Sequence, residues 1–328
     1  MEQQKVETLF KWLDETTTMI SEHFHITYLE AIKEAGDVLF EHAISEEADP
    51  GIKVPLENKL KEINLEDFKR EEVRKAFQLT ILKGMKGATQ QQHYMTPDAV
   101  SIFIGYLMSK FIEDKKEISL FDPACGTGNL LTAVLNQLPK ELKVYATGSE
   151  VDSTLIQLAF LNANLQEREI EFHHQDSLGH LLVEPQDVIV SDLPVGYYPN
   201  DEQAKNYELH SKEGHSYAHH LFIEQSLRYT KPGGYLFFLV PVFLFNSDQS
   251  DMLHEFLHKY AHIQAVIQLP STMFKKEENA KFIFVLQKKG KDTKPPKKVL
   301  MAQLPSFKNV IEMDNILKKI NAWFKEDR

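Results

Sequence analysis

From residue 117 onward, short apolar runs alternate with segments of helical period, and few folds accommodate that alternation. The runs are ISLFD, KVYATGSE, IEFHHQD, DVIVSD, GYLFFLVP, IQAVIQLP and KFIFVLQKK. Around and between them stand PDAVSIFIGYLMSKFI, NLLTAVLNQL, DSTLIQLAFLNANL, SYAHHLFIEQSLRYT and DQSDMLHEFLHKYA, whose apolar residues recur at helical spacing. Strands separated by helices predict a doubly wound α/β fold, because each crossover helix must cover a face of a mostly parallel sheet. Seven strands are expected. The last runs lie close together, which predicts an antiparallel hairpin at one edge. The C-terminal NVIEMDNILKKINAWFKE reads as a further amphipathic helix.

Residues 1–92 carry few strand signals and read as a helical domain. Val6, Leu9, Phe10 and Leu13 share one helical face, and Leu29, Ile32, Val38, Leu39 and Phe40 repeat the pattern. ADPGIKVP reads as a break. A third helix is expected over NLEDFKREEVRKAFQLTILKGMKG, with Asn64 as its N-cap. At 328 residues, a large domain plus a smaller one is the natural division. The single cysteine, Cys125, excludes an internal disulfide and fits a reducing cytoplasm. The N-terminus is acidic and amphipathic, unlike a signal peptide. No apolar run approaches the roughly 18 residues of a membrane span.

SLFDPACGTGNLL is the strongest local signal. A strand ends at Asp122, a loop of small residues follows, and a helix begins near Asn129. Gly126 and Gly128 let a ligand approach the backbone, beyond the strand C-termini where open α/β sheets bind ligands. The loop lacks the Lys and Ser/Thr of a phosphate-binding loop and is not a full Gly-x-Gly-x-x-Gly, so a tight structural turn is the plainer reading of the loop alone. Two further carboxylates strengthen the functional reading. Glu150 ends the next strand, where an acid accepts hydrogen bonds from ribose hydroxyls, and Asp176 follows the third, within reach of an adenine amino group. Three consecutive strand ends suit an adenosine-containing cofactor, without distinguishing NAD from S-adenosylmethionine.

DPACGTGNLL resembles the first motif of class I S-adenosylmethionine-dependent methyltransferases. More narrowly, it resembles the adenine-N6 DNA methyltransferases related to the modification subunit of type I restriction systems. QQQHYMTP, KPGGYLFFLVPVFLF and IQAVIQLPSTMF resemble other segments of that group, and SDLPVGYYP stands where its catalytic Asn/Asp/Ser-Pro-Pro-aromatic motif falls. The resemblance runs from about Gln90 to Gln287. It implies a methyltransferase domain over 93–328, S-adenosyl-L-methionine as cofactor, and DNA as substrate. It further implies that Tyr94 and Thr96 flank the cofactor, and that Asp122, Ala124, Gly126 and Gly128 surround its methionine part, with Cys125 and Asn129 in the same loop. Glu150 would hold the ribose, Val151 would lie against the adenine, and Asp176 and Ser177 would meet the adenine edge. A separate specificity partner is implied as well, since such enzymes often leave sequence recognition to one.

An exocyclic amino nitrogen is a poor nucleophile because its lone pair is delocalised into the ring. In the family motif two acceptors, the first side chain and the next backbone carbonyl, receive its hydrogens, and an aromatic ring stacks on the flipped base. In DLPV, Asp192 and the Leu193 carbonyl supply those acceptors and Pro194 matches, but Val195 has no ring. Stacking is worth roughly 1–3 kcal/mol per base, so its loss weakens base capture about ten-fold or more. Tyr197 or Tyr198 would have to replace it; both could equally pack on the sheet edge. The departures also favour two other readings: an impaired cofactor-binding regulatory protein, or a methyltransferase of a protein amide or small molecule.

Other candidates are weaker. His215 and His219 have metal-compatible spacing on an expected helix but no completing acid or cysteine, so no metal site is expected. Cys125 has no evident histidine partner and reads as a small residue fitting its loop. The formal charge of −11 disfavours a purely electrostatic nucleic-acid binder. Residues 275–298, with nine lysines and three acids, are the local exception, either a solvated linker or a phosphate-facing edge.

Overall fold

The computed structural model describes residues 3–46, 48–86, 95–274 and 276–327. Four helices open the chain: α1 (Gln3–Phe24), α2 (Tyr28–Glu41), α3 (Pro50–Leu60) and α4 (Arg70–Met85). Thr27 starts α2 through a capping box with Glu30. The expected break at ADPGIKVP is instead the start of α3. Asp49 accepts from the Gly51 amide, and Pro50 sits in the first turn, where its missing N–H costs nothing. Asn64 caps only the short 3-10 turn Leu65–Asp67, and α4 starts later, at Arg70.

The remainder comprises α5 (Asp98–Phe111), β1 (Glu117–Asp122), α6 (Asn129–Gln137), β2 (Lys143–Glu150), α7 (Ser153–Leu165), β3 (Ile170–His174), β4 (Gln186–Asp192), α8 (Asp201–Ala204) and α9 (Ala218–Arg228). It continues with β5 (Thr230–Pro241), α10 (Ser250–Tyr260), β6 (Ala261–Gln268), β7 (Lys281–Lys288), β8 (Leu300–Gln303) and α11 (Val310–Asp327). All seven expected strands form, in a sheet of order β3-β2-β1-β4-β5-β7-β6-β8. The sheet has eight strands rather than seven. β8 pairs in parallel with β6, from Ala265↔Leu300 to Gln268↔Gln303, and takes the edge. The antiparallel hairpin β6–β7 therefore lies inside the sheet, with β7 inserted between β5 and β6. Its four residues gave β8 too little pattern to be seen.

One face of the sheet buries Phe103, Leu107, Leu131 and Val134 against Val188, Phe237 and Val285; the other buries Leu221, Ile223 and Leu253 against Ile189, Phe238 and Phe284. Alternate residues of the central strands thus feed two cores, as a sheet covered on both faces requires. The N-terminal helices share a core with this unit. Leu9, Ile32, Phe77 and Ile81 pack with Leu158, Leu161 and Leu165 of α7. A Cβ on Gly36 would lie 2.3 Å from Leu161 Cδ2, so α2 meets α7 so closely that any larger residue there would displace Leu161. The boundary expected at residue 92 lies outside the described residues. No described helix is long and apolar enough to cross a membrane.

Candidate active site

The strand order reverses between β1 and β4, since the chain runs outward through β2 and β3 and then returns. Such a switch point leaves a crevice beyond the strand C-termini. Asp122 and Asp192 end the two strands that flank it, and Glu150 ends the neighbouring β2.

The loop after β1 folds tightly. The Cys125 amide donates to Ser149 O and the Gly128 amide to Cys125 O. Gly126 and Gly128 have φ of +55° and +71°, the left-handed region that favours glycine. A Cβ on Gly128 would lie 3.3 Å from that of Ala159, whereas above Gly126 nothing comes within 4 Å. The backbone at Gly126 is thus open to a ligand, and Gly128 is needed for packing. Cys125 is buried, and burial pushes its thiol pKa up, which excludes a ready nucleophile.

Asp122 is 1% exposed and accepts from Ser191 Oγ at 2.8 Å and the Ala124 amide at 3.1 Å. Burial pushes its pKa up to about 7, resisted by those two bonds and aided by the charges of Glu150 and Asp192. Glu150 accepts from the amides of Gly126 at 3.0 Å and of Val151 and Asp152 at 2.9 Å each. Val151 beside it is exposed. Asp176 accepts from the Leu178 amide at 2.9 Å and from the Tyr198 hydroxyl. Ser177 is buried, and its hydroxyl has no hydrogen-bond partner among the described residues. Tyr94 lies outside the described residues.

Asp192 carries the main surprise. Thr96 Oγ1 donates to its Oδ2 at 2.9 Å, and Lys281 Nζ lies 2.5 Å from its Oδ1. Thr96 is itself held, because Asn129 Nδ2 donates to its carbonyl at 3.1 Å, and Arg74 Nη1 donates to Asn129 Oδ1 at 2.7 Å. A chain of bonds therefore runs from α4 of the helical segment through α6 to the end of β4. Asn129, expected beside the cofactor, spends its amide on this chain. Sequence reasoning missed Arg74 at its start and Lys281, which joins it at Asp192. Arg74 carries no local signal, and Lys281 falls within the basic stretch 275–298.

The rest of SDLPVGYYP is fixed. The Leu193 amide donates to Leu239 O, and Leu193 is buried while Pro194 and Val195 are exposed. Tyr197 forms a β-bridge with Tyr217, and the two rings stack at 4.9 Å with 14° between planes. Tyr197 remains 58% exposed. Tyr198 is buried, and burial followed by its bond to Asp176 raises its pKa. Of the two tyrosines, Tyr197 alone keeps an exposed ring.

Two expectations need correction. His215 precedes α9, is exposed and faces Asp201, whereas His219 is fully buried, so the pair does not share a helix face. Burial, the neighbouring His220 and the Lys281 charge push the His219 pKa down to about 3. The basic stretch is not one edge either. β7 runs through it, with Lys281 beside Pro241 at the site end and Gln287 beside Tyr235 at the opposite end. Several of its lysines are engaged internally: Lys288 donates to Thr230 O, Lys289 to His258 O and Lys297 to Glu326 O.

The model of the N-6 DNA methylase family matches residues 80–326. The chain belongs to the N-6 DNA methylase family. Residues 7–85 match a second model, described as the YtxK N-terminal helical domain. An uncharacterized Bacillus subtilis protein, YtxK, is 47% identical over 335 residues, covering 100% of both chains. A solved Listeria monocytogenes structure, provisionally described as a class I S-adenosylmethionine-dependent methyltransferase, is 46% identical with a TM-score of 0.92, covering 98% of this chain and 100% of that one. The modification subunit of a type I restriction enzyme assigned in Vibrio vulnificus shares the fold at a TM-score of 0.66 and 18% identity; this chain is matched over 90% of its length and spans 66% of that subunit. The fold is that of the class I methyltransferases.

Proposed function

We propose that the protein is an S-adenosylmethionine-dependent N-methyltransferase whose acceptor is the N6 amino group of adenine in DNA. The observation that carries this reading is the convergence of Asp122, Glu150 and Asp192 on one crevice, around the open backbone of Gly126. The residues fit the cofactor. Asp122, Ala124, Gly126 and Gly128 would hold its amino-acid part, Glu150 its ribose, and Val151, Asp176 and Ser177 its adenine. When bound, it supplies an electrophilic methyl group on a sulfonium.

The chain's own residues prepare the nucleophile. The Asp192 carboxylate and the Leu193 carbonyl accept the two amino hydrogens, which favours a pyramidal nitrogen with an available lone pair. Positive charge grows on that nitrogen during attack, so a carboxylate beside it stabilises the transition state more than the ground state. Tyr197, backed by Tyr217, offers the stacking face that Val195 lacks. A separate partner would supply sequence recognition, and the single free thiol suits a cytoplasmic setting.

One observation favours the reading of an impaired enzyme: Lys281 already neutralises Asp192. Calorimetry with S-adenosylmethionine tests the cofactor, and absence of binding overturns it. Detection of new N6-methyladenine in DNA incubated with wild-type protein, but not with Asp192→Ala, separates the active from the impaired reading.

A further inference from the structure

Asp192 lies at the C-terminal end of β4, and Lys281 opens β7, with β5 between them. Asp192 pairs with Leu239 and Lys281 with Pro241, so the ion pair spans β5 at the edge of the sheet that carries the crevice. Both side chains are largely enclosed, 24% exposed for Lys281 and 16% for Asp192. An enclosed ammonium does not leave its carboxylate without another anion to receive it. Thr96 meanwhile anchors the second carboxylate oxygen, so Asp192 stays in place when the lysine departs. His219, fully buried, is neutral at ordinary pH and does not compete for the carboxylate.

We propose that Lys281 is a specificity-determining latch: it holds Asp192 until a phosphodiester of the acceptor DNA strand takes over its ammonium. The proposal rests on the reading of Asp192 as the amino-group acceptor. A free nucleoside brings an amino group but no anion and meets a closed latch. A strand brings a phosphate with every nucleotide, so engagement of the backbone and release of the catalytic carboxylate become one event. The latch explains how an acceptor with both oxygens engaged belongs to an active enzyme.

The test compares wild type with Lys281→Met, with Lys281→Gln as a second neutral variant should the first fail to fold, and with Lys281→Arg. Affinity for an adenine-containing single-stranded oligodeoxynucleotide is measured by fluorescence anisotropy across salt concentrations. Removing one phosphate contact lowers the slope of log affinity against log salt by about 0.7. The neutral variants should show that drop, keep S-adenosylmethionine affinity within about two-fold by calorimetry, and methylate free deoxyadenosine at least about ten-fold faster in kcat/KM. Lys281→Arg, which restores the pair, should restore discrimination against the nucleoside. An unchanged salt slope overturns the latch, as does failure of wild type to bind the oligonucleotide. A lowered slope with no gain on deoxyadenosine makes Lys281 a simple phosphate contact and also overturns it. Wild-type methylation of adenine in DNA with an unchanged slope sinks the latch and leaves the proposed function standing. Absence of cofactor binding sinks the function, whatever the slope.

Discussion

Arg74→Met should destabilise the protein more than most single changes, although Arg74 lies on a helix outside the sheet. The side chain is fully buried, and all five of its N–H donors are used. They reach both oxygens of Glu71, both of Asp98, and Asn129 Oδ1. Burial works against the charge, yet the two carboxylates hold the guanidinium pKa above its ordinary value. Removing one partner of a buried pair costs about 3–5 kcal/mol. Asp98 and Glu71 are about a quarter exposed and recover some hydration, which argues for the lower end. Unfolding entropy near 2.1 cal/mol/K per residue gives about 0.7 kcal/mol/K for 328 residues, so ~3 kcal/mol lowers Tm by about 4 °C. Differential scanning calorimetry reads that shift. Arg74→Lys should recover little of it, because an ammonium has three donors and no planar fork. A Tm for Arg74→Met within 1 °C of wild type would refute the buried junction.

Four other expectations can be checked on the same material. Asp122, with its pKa raised to about 7 from 3.8, takes up a proton on folding, so its stabilising contribution is complete below pH 3.8 and lost as pH rises through 7. Relative to Asp122→Asn, wild type should lose ~4 kcal/mol of stability across that window at 1.36 kcal/mol per decade, read by urea unfolding at several pH values; parallel profiles contradict the shift. Gly128→Ala should cost about 1–2 kcal/mol from its left-handed backbone alone, with a further penalty from the 3.3 Å contact with Ala159, measured by denaturant midpoint. Tyr198→Phe removes a hydrogen bond to a carboxylate and should cost about 1.5–3 kcal/mol in thermal unfolding; a neutral result would show that Tyr198 does not hold Asp176. Tyr197→Ala should leave stability within about 1 kcal/mol, since the ring is mostly exposed, while weakening oligonucleotide affinity about ten-fold; equal affinity removes Tyr197 from base capture.

The parts of this molecule that were legible in its sequence are those set by local pattern. An apolar run such as DVIV declares a buried strand, and the polar residue that ends it marks a position at the crevice, so Asp122, Glu150 and Asp192 could be placed at strand ends before any contact was known. β8 stayed hidden because its four residues, Leu300–Gln303, are too few to establish a strand period. Arg74 and Lys281 stayed hidden for another reason. Their partners Asn129 and Asp192 lie 55 and 89 residues away, and nothing local announces such a pairing. Lys281 reaches the crevice only because β7 is antiparallel, which brings the first residue of the strand, rather than its last, to the C-terminal edge of its parallel neighbours. A parallel β7 would have carried the same lysine to the far edge of the sheet and left Asp192 with Thr96 alone. The direction of one strand thus decides whether DLPV offers a bare carboxylate or a countered one, and with it how readily a neutral acceptor can enter.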